Sequence, residues 1–290
     1  MKFCYAAVLS LFILTLSGCG EKIDSAQRGP SEKAIANAEL LAGWDMTSQE
    51  RQMMRPALGS QKENYQALRR MEMENDERPA LRFDPEMGYL PNSEEDLGPQ
   101  YAAEIPVQLP ANIDDLAFFS IADLGQLIRT RQISCLELTR FSLDRLKKHG
   151  PELECVITLT QSRAEAKARL LDKMLDKGQY LGPLHGIPFG AKDLLAVKGY
   201  PTTWGAEPYK NQHVNRTATV IKKMDAAGAV LVAKLTLGAL AMDDVWYGGQ
   251  TRNPWNLEEG SSGSSAGSAA AVSAGLVPFA IGTETLGSIV

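Results

Sequence analysis

Six small residues, Gly260-Ser261-Ser262-Gly263-Ser264-Ser265, run without a break into an Ala-rich stretch at 266–274. Glycine and serine also dominate flexible linkers. Here, however, Asn253-Pro254-Trp255-Asn256 precedes the run and a helix-prone segment follows directly. The pattern predicts a structured loop that opens a helix. Such a loop lets backbone approach a ligand closely and aims N–H groups at it. Downstream stands Gly282-Thr283-Glu284-Thr285-Leu286-Gly287-Ser288-Ile289, which places Ser288 at 288 − 264 = 24 residues beyond Ser264.

The same loop contains Gly263-Ser264-Ser265-Ala266-Gly267, a match to the G-x-S-x-G nucleophile elbow centred on Ser265. An elbow needs a hydrophobic strand just before it, and a histidine later in the chain. The preceding residues, Asn-Pro-Trp-Asn-Leu-Glu-Glu-Gly, make no such strand. His149, His185 and His213 all come earlier. A serine nucleophile without histidine needs another base, and a desolvated lysine can serve. Lys192 follows the apolar run Ile187-Pro188-Phe189-Gly190-Ala191, which would carry it inward. Taken alone, Lys192 reads more simply as the ion-pair partner of Asp193 at a strand end.

Taken together, three ordered motifs closely resemble the amidase signature family. They are Gly182-Pro183-Leu184-His185-Gly186-Ile187-Pro188 leading to Lys192-Asp193, then Gly263-Ser264-Ser265, then residues 282–289. The tract from Thr251 to Asn256 fits the same pattern, and the resemblance covers roughly residues 120–290. It implies a Ser–cisSer–Lys triad. Ser288 would attack an amide carbonyl, Ser264 (held by a cis peptide in that family) would relay the proton, and neutral Lys192 would accept it. Backbone N–H groups of Thr285, Leu286, Gly287 and Ser288 would form the oxyanion hole, with Ser265 a supporting hydroxyl. His185 and Lys234 are read as structural. Trp204, Trp246 and Tyr247 either line the site or pack. Leu286 stands where the family commonly has glycine, and Val290 where many members have arginine. The resemblance implies an amidohydrolase of carboxylic amides that uses no cofactor and no metal. The glutaminase-type component of the tRNA-dependent amidotransferase shares all three motifs. A non-catalytic envelope protein that kept the fold is a third reading. Family members continue well past the nucleophile, so the sequence is expected to be a fragment with its C-terminal part absent.

The helix–strand alternation predicts an α/β fold with a mixed sheet covered by helices on both sides. Strands are expected at 156–159, 187–191 and 229–233. Helices are expected at 135–148, 163–175 and 219–227, with another starting from Ser120-Ile121-Ala122-Asp123. The main domain is placed at 118–290. Residues 19–117 read as a helical extension and linker, with helix at 32–41, a helix start at Thr47-Ser48-Gln49-Glu50, helical character at 65–73, and a Pro-rich acidic stretch at 78–108. The first 18 residues read as a signal peptide whose apolar stretch is too short to span a bilayer. Leu16-Ser17-Gly18-Cys19 resembles a lipobox, which makes Cys19 a lipidation site and the protein a lipid-anchored resident of the bacterial envelope, with the outer membrane favoured because Gly20 replaces the retention aspartate. A net charge of −5 argues against nucleic acid as a partner. The partner is instead a small amide. Cys135 and Cys155 lie in apolar contexts, where buried thiols are expected rather than a bridge.

Overall fold

The computed structural model describes residues 29–73, 77, 80 and 105–289. The signal segment, the lipobox with Cys19, most of the stretch read as a linker, and Val290 lie outside them. The chain divides into two compact units, Met1–Leu97 and Gly98–Val290.

Within the first unit, α1 (Glu32–Ala42) and α2 (Ser48–Arg69) pack against each other. Ser31 caps α1 by accepting from the Ala34 N–H at 3.2 Å. Thr47 and Glu50 form a reciprocal capping box at the start of α2, as the motif predicts. The Arg51 guanidinium grips the Glu39 carboxylate at 2.8–3.1 Å. Sequence reading continues the helical character over 65–73. In the structure one helix runs unbroken through Pro56 and ends at Arg69. A proline's fixed φ suits a helix, and its ring costs the helix one hydrogen bond.

The second unit is a four-stranded mixed sheet with helices on both faces. Its strands are β1 (Val156–Leu159), β2 (Pro188–Lys192), β3 (Val230–Leu235) and β8 (Phe279–Ile281), in the order β1-β3-β2-β8. The outer pair β1–β3 is antiparallel, while β2 runs parallel to both neighbours. Fully buried strands of this kind read as continuous apolar runs, and all of β2 and β3 is buried. One face carries α3 (Ile121–Arg129), α4 (Cys135–Leu153), α5 (Gln161–Asp176) and α7 (Ala266–Ser273). Leu138, Leu171, Val232 and Ala270 share its core. The other face packs Phe189, Ala191 and Leu231 against Ile221 of α6 (Thr219–Ala226).

The helix starts have local causes. Ser120 accepts from the Asp123 N–H at 3.1 Å. Ser134 and Glu137 make a second capping box, which opens α4. Two short hairpins, β4 (Val245–Trp246) with β5 (Gly249–Gln250) and β6 (Arg252–Asn253) with β7 (Asn256–Gly260), lie between β3 and α7. Cys135 and Cys155 are buried free thiols, and burial pushes the Cys155 thiol up to about 12.

Candidate active site

Lys192 ends the central strand β2. Successive side chains on a strand point to opposite faces. Since Phe189 and Ala191 belong to the α6 face, Lys192 projects toward α7. There its Nζ donates to Ser264 Oγ at 2.8 Å, to Ser265 Oγ at 3.0 Å and to the Thr283 carbonyl at 3.3 Å. These contacts are hydroxyls and a carbonyl. Lys192 is fully buried, and burial lowers its amine from the ordinary 10.5 to about 8. A neutral fraction is therefore accessible near physiological pH.

The Gly/Ser run supplies the other wall. It opens α7 directly, as predicted. The Gly263–Ser264 peptide is cis. Residue size is what lets the segment fit. A side-chain carbon on Gly263 would stand 2.0 Å from the Asp243 carbonyl, and one on Gly267 2.4 Å from the Thr236 nitrogen. Ser265 Oγ bridges both backbone groups of Thr283, donating to its carbonyl at 3.0 Å and accepting from its N–H at 3.2 Å. Ser264 and Ser265 are buried.

The segment before Ser265 is β7, a strand with exposed residues paired only with β6. It is not the buried central strand an elbow requires.

Residues 284–289 follow β8 as an irregular loop. Thr285, Leu286 and Gly287 are exposed. Ser288 is tied to Ser265 by its backbone, with its carbonyl accepting from the Ser265 N–H at 3.1 Å. Its hydroxyl is not among the groups bonded to Lys192 or Ser264. Glu284 fastens the loop by accepting from the Ile289 N–H at 2.8 Å.

Asp193 does not pair with Lys192. Its carboxylate meets Lys234 in an ion pair with both side chains fully buried, and it accepts from the N–H and hydroxyl of Thr203 at 2.7 and 2.6 Å. The simple ion-pair reading of Lys192 fails because neighbouring residues at a strand end face opposite ways. His185 is structural. Its Nδ1 accepts from the Leu181 N–H and its Nε2 lies 3.2 Å from the Leu171 carbonyl. Trp246 lines a separate cavity of about 610 Å³ with Leu146, Pro151 and Val156. Two contributors escaped sequence reading. One is the Thr283 carbonyl, which a side-chain motif does not advertise. The other is Asp244, whose carboxylate accepts from the Ser262 N–H at 3.0 Å.

Comparison with known proteins bears on this arrangement. The Amidase family model matches residues 137–290, just over half the chain. The chain is 39% identical over 173 residues to a Glutamyl-tRNA(Gln) amidotransferase subunit from Geobacillus kaustophilus, covering 59% of this chain and 36% of that protein. It resembles the peptide amidase of Stenotrophomonas maltophilia at 35% identity and a TM-score of 0.55, covering 59% of this chain and 37% of that one. It also resembles a bacterial aryl acylamidase of the amidase signature enzymes at 29% identity and a TM-score of 0.54, covering 57% of this chain and 35% of that one. The chain thus spans about a third of the length of the curated relatives it matches. By its sequence and its mixed, helix-covered sheet, this chain belongs to the amidase family.

Proposed function

We propose that this chain carries the catalytic core of an amidase that hydrolyses a carboxylic amide to a carboxylate and ammonia or an amine. Ser288 Oγ attacks the carbonyl carbon. Its proton passes through Ser264 to the neutral Lys192 amine, which returns it to the leaving nitrogen; water then attacks the acyl–Ser288 ester, the carboxylate departs and the Ser288 hydroxyl is restored. The backbone N–H groups of Thr285 to Ser288 stabilise the oxyanion, where one well-placed donor is worth about 3–4 kcal/mol. The observation that carries this reading is the 2.8 Å contact between Ser264 and a buried, desolvated Lys192. The test is covalent labelling by a fluorophosphonate probe together with amide turnover, in the chain and in its Ser288→Ala variant. Label on Ser288 and Ser288-dependent turnover support the reading. A folded protein that takes no label is instead a non-catalytic member of the family.

A second reading is favoured by the 39% identity to a component of an amidotransferase. The chain would then release ammonia from glutamine for its partner proteins. Glutaminase activity that rises only with those partners would select it.

We also propose that residues 1–18 direct export and that Cys19 is lipidated, which would hold the protein on the bacterial envelope, at the outer membrane. The support is the order Lys2, apolar stretch, Leu16-Ser17-Gly18-Cys19. Incorporation of labelled palmitate that Cys19→Ser abolishes would bear this out. A soluble, unlabelled protein would defeat it.

A further inference from the structure

Two fully buried lysines sit side by side in the sheet, and only one belongs to the relay. In the parallel β2–β3 register, Lys234 lies opposite Ala191, and Leu235 opposite Lys192. Lys234 Nζ donates to the Pro201 carbonyl at 2.9 Å and pairs with Asp193. We propose that Lys234 is a positioning residue for the amidase site, which it serves by holding Asp193 in a charge-neutral unit. The inference rests on the relay reading of Lys192.

The geometry closes a ring around the site. Asp193, next in the chain to Lys192, accepts from both Thr203 donors. The adjoining turn passes the constraint on, because the Trp204 carbonyl accepts from the Leu240 N–H at 2.8 Å and the Gly205 carbonyl from the Tyr247 N–H at 3.0 Å. The loop so held presses its Asp243 carbonyl against Gly263, while Asp244 binds the Ser262 N–H. Ser264 then completes the ring by accepting from Lys192. Lys234 thus fixes both walls of the relay without touching its reacting atoms.

The ring has an electrostatic consequence. The ionisable groups flanking Lys192 are Asp193 and Lys234 in the sheet, Asp243 and Asp244 in the loop behind Gly263, and Glu284 after Thr283. Burial alone accounts for the lowering of Lys192. Held as one buried ion pair, Asp193 and Lys234 add no net charge beside it, and their opposite charges offset one another. Breaking the pair from either side destroys the cancellation, and the two breaks have opposite signs.

The experiment titrates the Lys192 amine by NMR in the full chain with isotope-labelled lysine, the signal assigned by its loss in Lys192→Met. Lys234→Met leaves Asp193 unopposed and is expected to move the Lys192 titration up by about one pH unit. Asp193→Asn leaves Lys234 unopposed and is expected to move it down by about as much. Asp193→Asn with Lys234→Met should restore it. If one single variant fails to fold, the sign from the other decides. Shifts of the same sign, or no shift in a folded variant, overturn the proposal. A merely structural role would unfold the protein without reversing sign. The readout needs no turnover, so an inactive chain defeats the amidase reading and leaves this test intact.

Discussion

Lys192, Ser264 and Ser265 are 0, 1 and 3% exposed, whereas Leu286, two residues before Ser288, is 94% exposed. The half proposed to accept the proton is part of the sheet–helix core. The half that carries Ser288, the proposed nucleophile, is a loop fastened by the Ser265 N–H on the Ser288 carbonyl and by the Ile289 N–H on the Glu284 carboxylate. A change in the core half alters both folding and chemistry, because the same atoms serve both. A change in the exposed loop is expected to alter rate alone.

The largest effect is expected at Lys192. Lys192→Met should slow probe labelling of Ser288 by about 10³-fold, the scale of a lost general base. It should also change the pH dependence of stability. Burial holds the folded-state amine near 8, below its ordinary 10.5, so the penalty of burying the ammonium is complete below about 8 and is relieved as pH rises toward 10.5. Urea unfolding should show the wild type gaining about 2–3 kcal/mol on Lys192→Met across that window. Parallel pH curves would mean that Lys192 is not desolvated.

Gly267→Ala probes the core half without touching an ionisable group. The added carbon would meet Thr236 backbone at 2.4 Å and the Cys155 carbonyl at 2.6 Å. Neither can swing aside, and a loss of about 2–3 kcal/mol is expected in thermal or urea unfolding. A neutral result would show that α7 can lift from the sheet. Next comes Ser265→Ala, which strands the Thr283 N–H and leaves its carbonyl to Lys192 alone. It should cost about 1–3 kcal/mol and loosen the loop, read as faster hydrogen exchange at Thr283. The smallest effect belongs to Leu286→Gly. So exposed a side chain should change stability by less than about 0.5 kcal/mol, while the labelling rate moves. A stability change above that in calorimetry would erase the contrast between the two halves.

The parts legible in the sequence are those with a local cause. Thr47 and Ser120 announce helix starts through hydrogen bonds three residues away. The strands at 156–159, 188–192 and 230–235 show as short apolar runs. The meeting of Lys192 with Ser264 was readable only through motif resemblance, since 72 residues separate them. Choosing between Lys192 and Lys234 as the partner of Asp193 was beyond local reading. It depends on which way each side chain leaves its strand. The hairpins β4–β7 also escaped notice, because three of their strands are only two residues long and none is fully buried, so no alternation is imposed by a buried face.

The strand order has a consequence for how the chain is made. The central strand β2 leaves the ribosome before β3 and β8, the strands that pair with it. Ninety-one residues separate Lys192 from Thr283. At translation rates of about 5–20 residues per second, that gap lasts roughly 5–18 s. Throughout it, β2 has an open edge on its β8 side, and Lys192 lacks the Thr283 carbonyl that receives it. Until β8 arrives, nascent β2 therefore keeps an unpaired edge of the kind that recruits other strands.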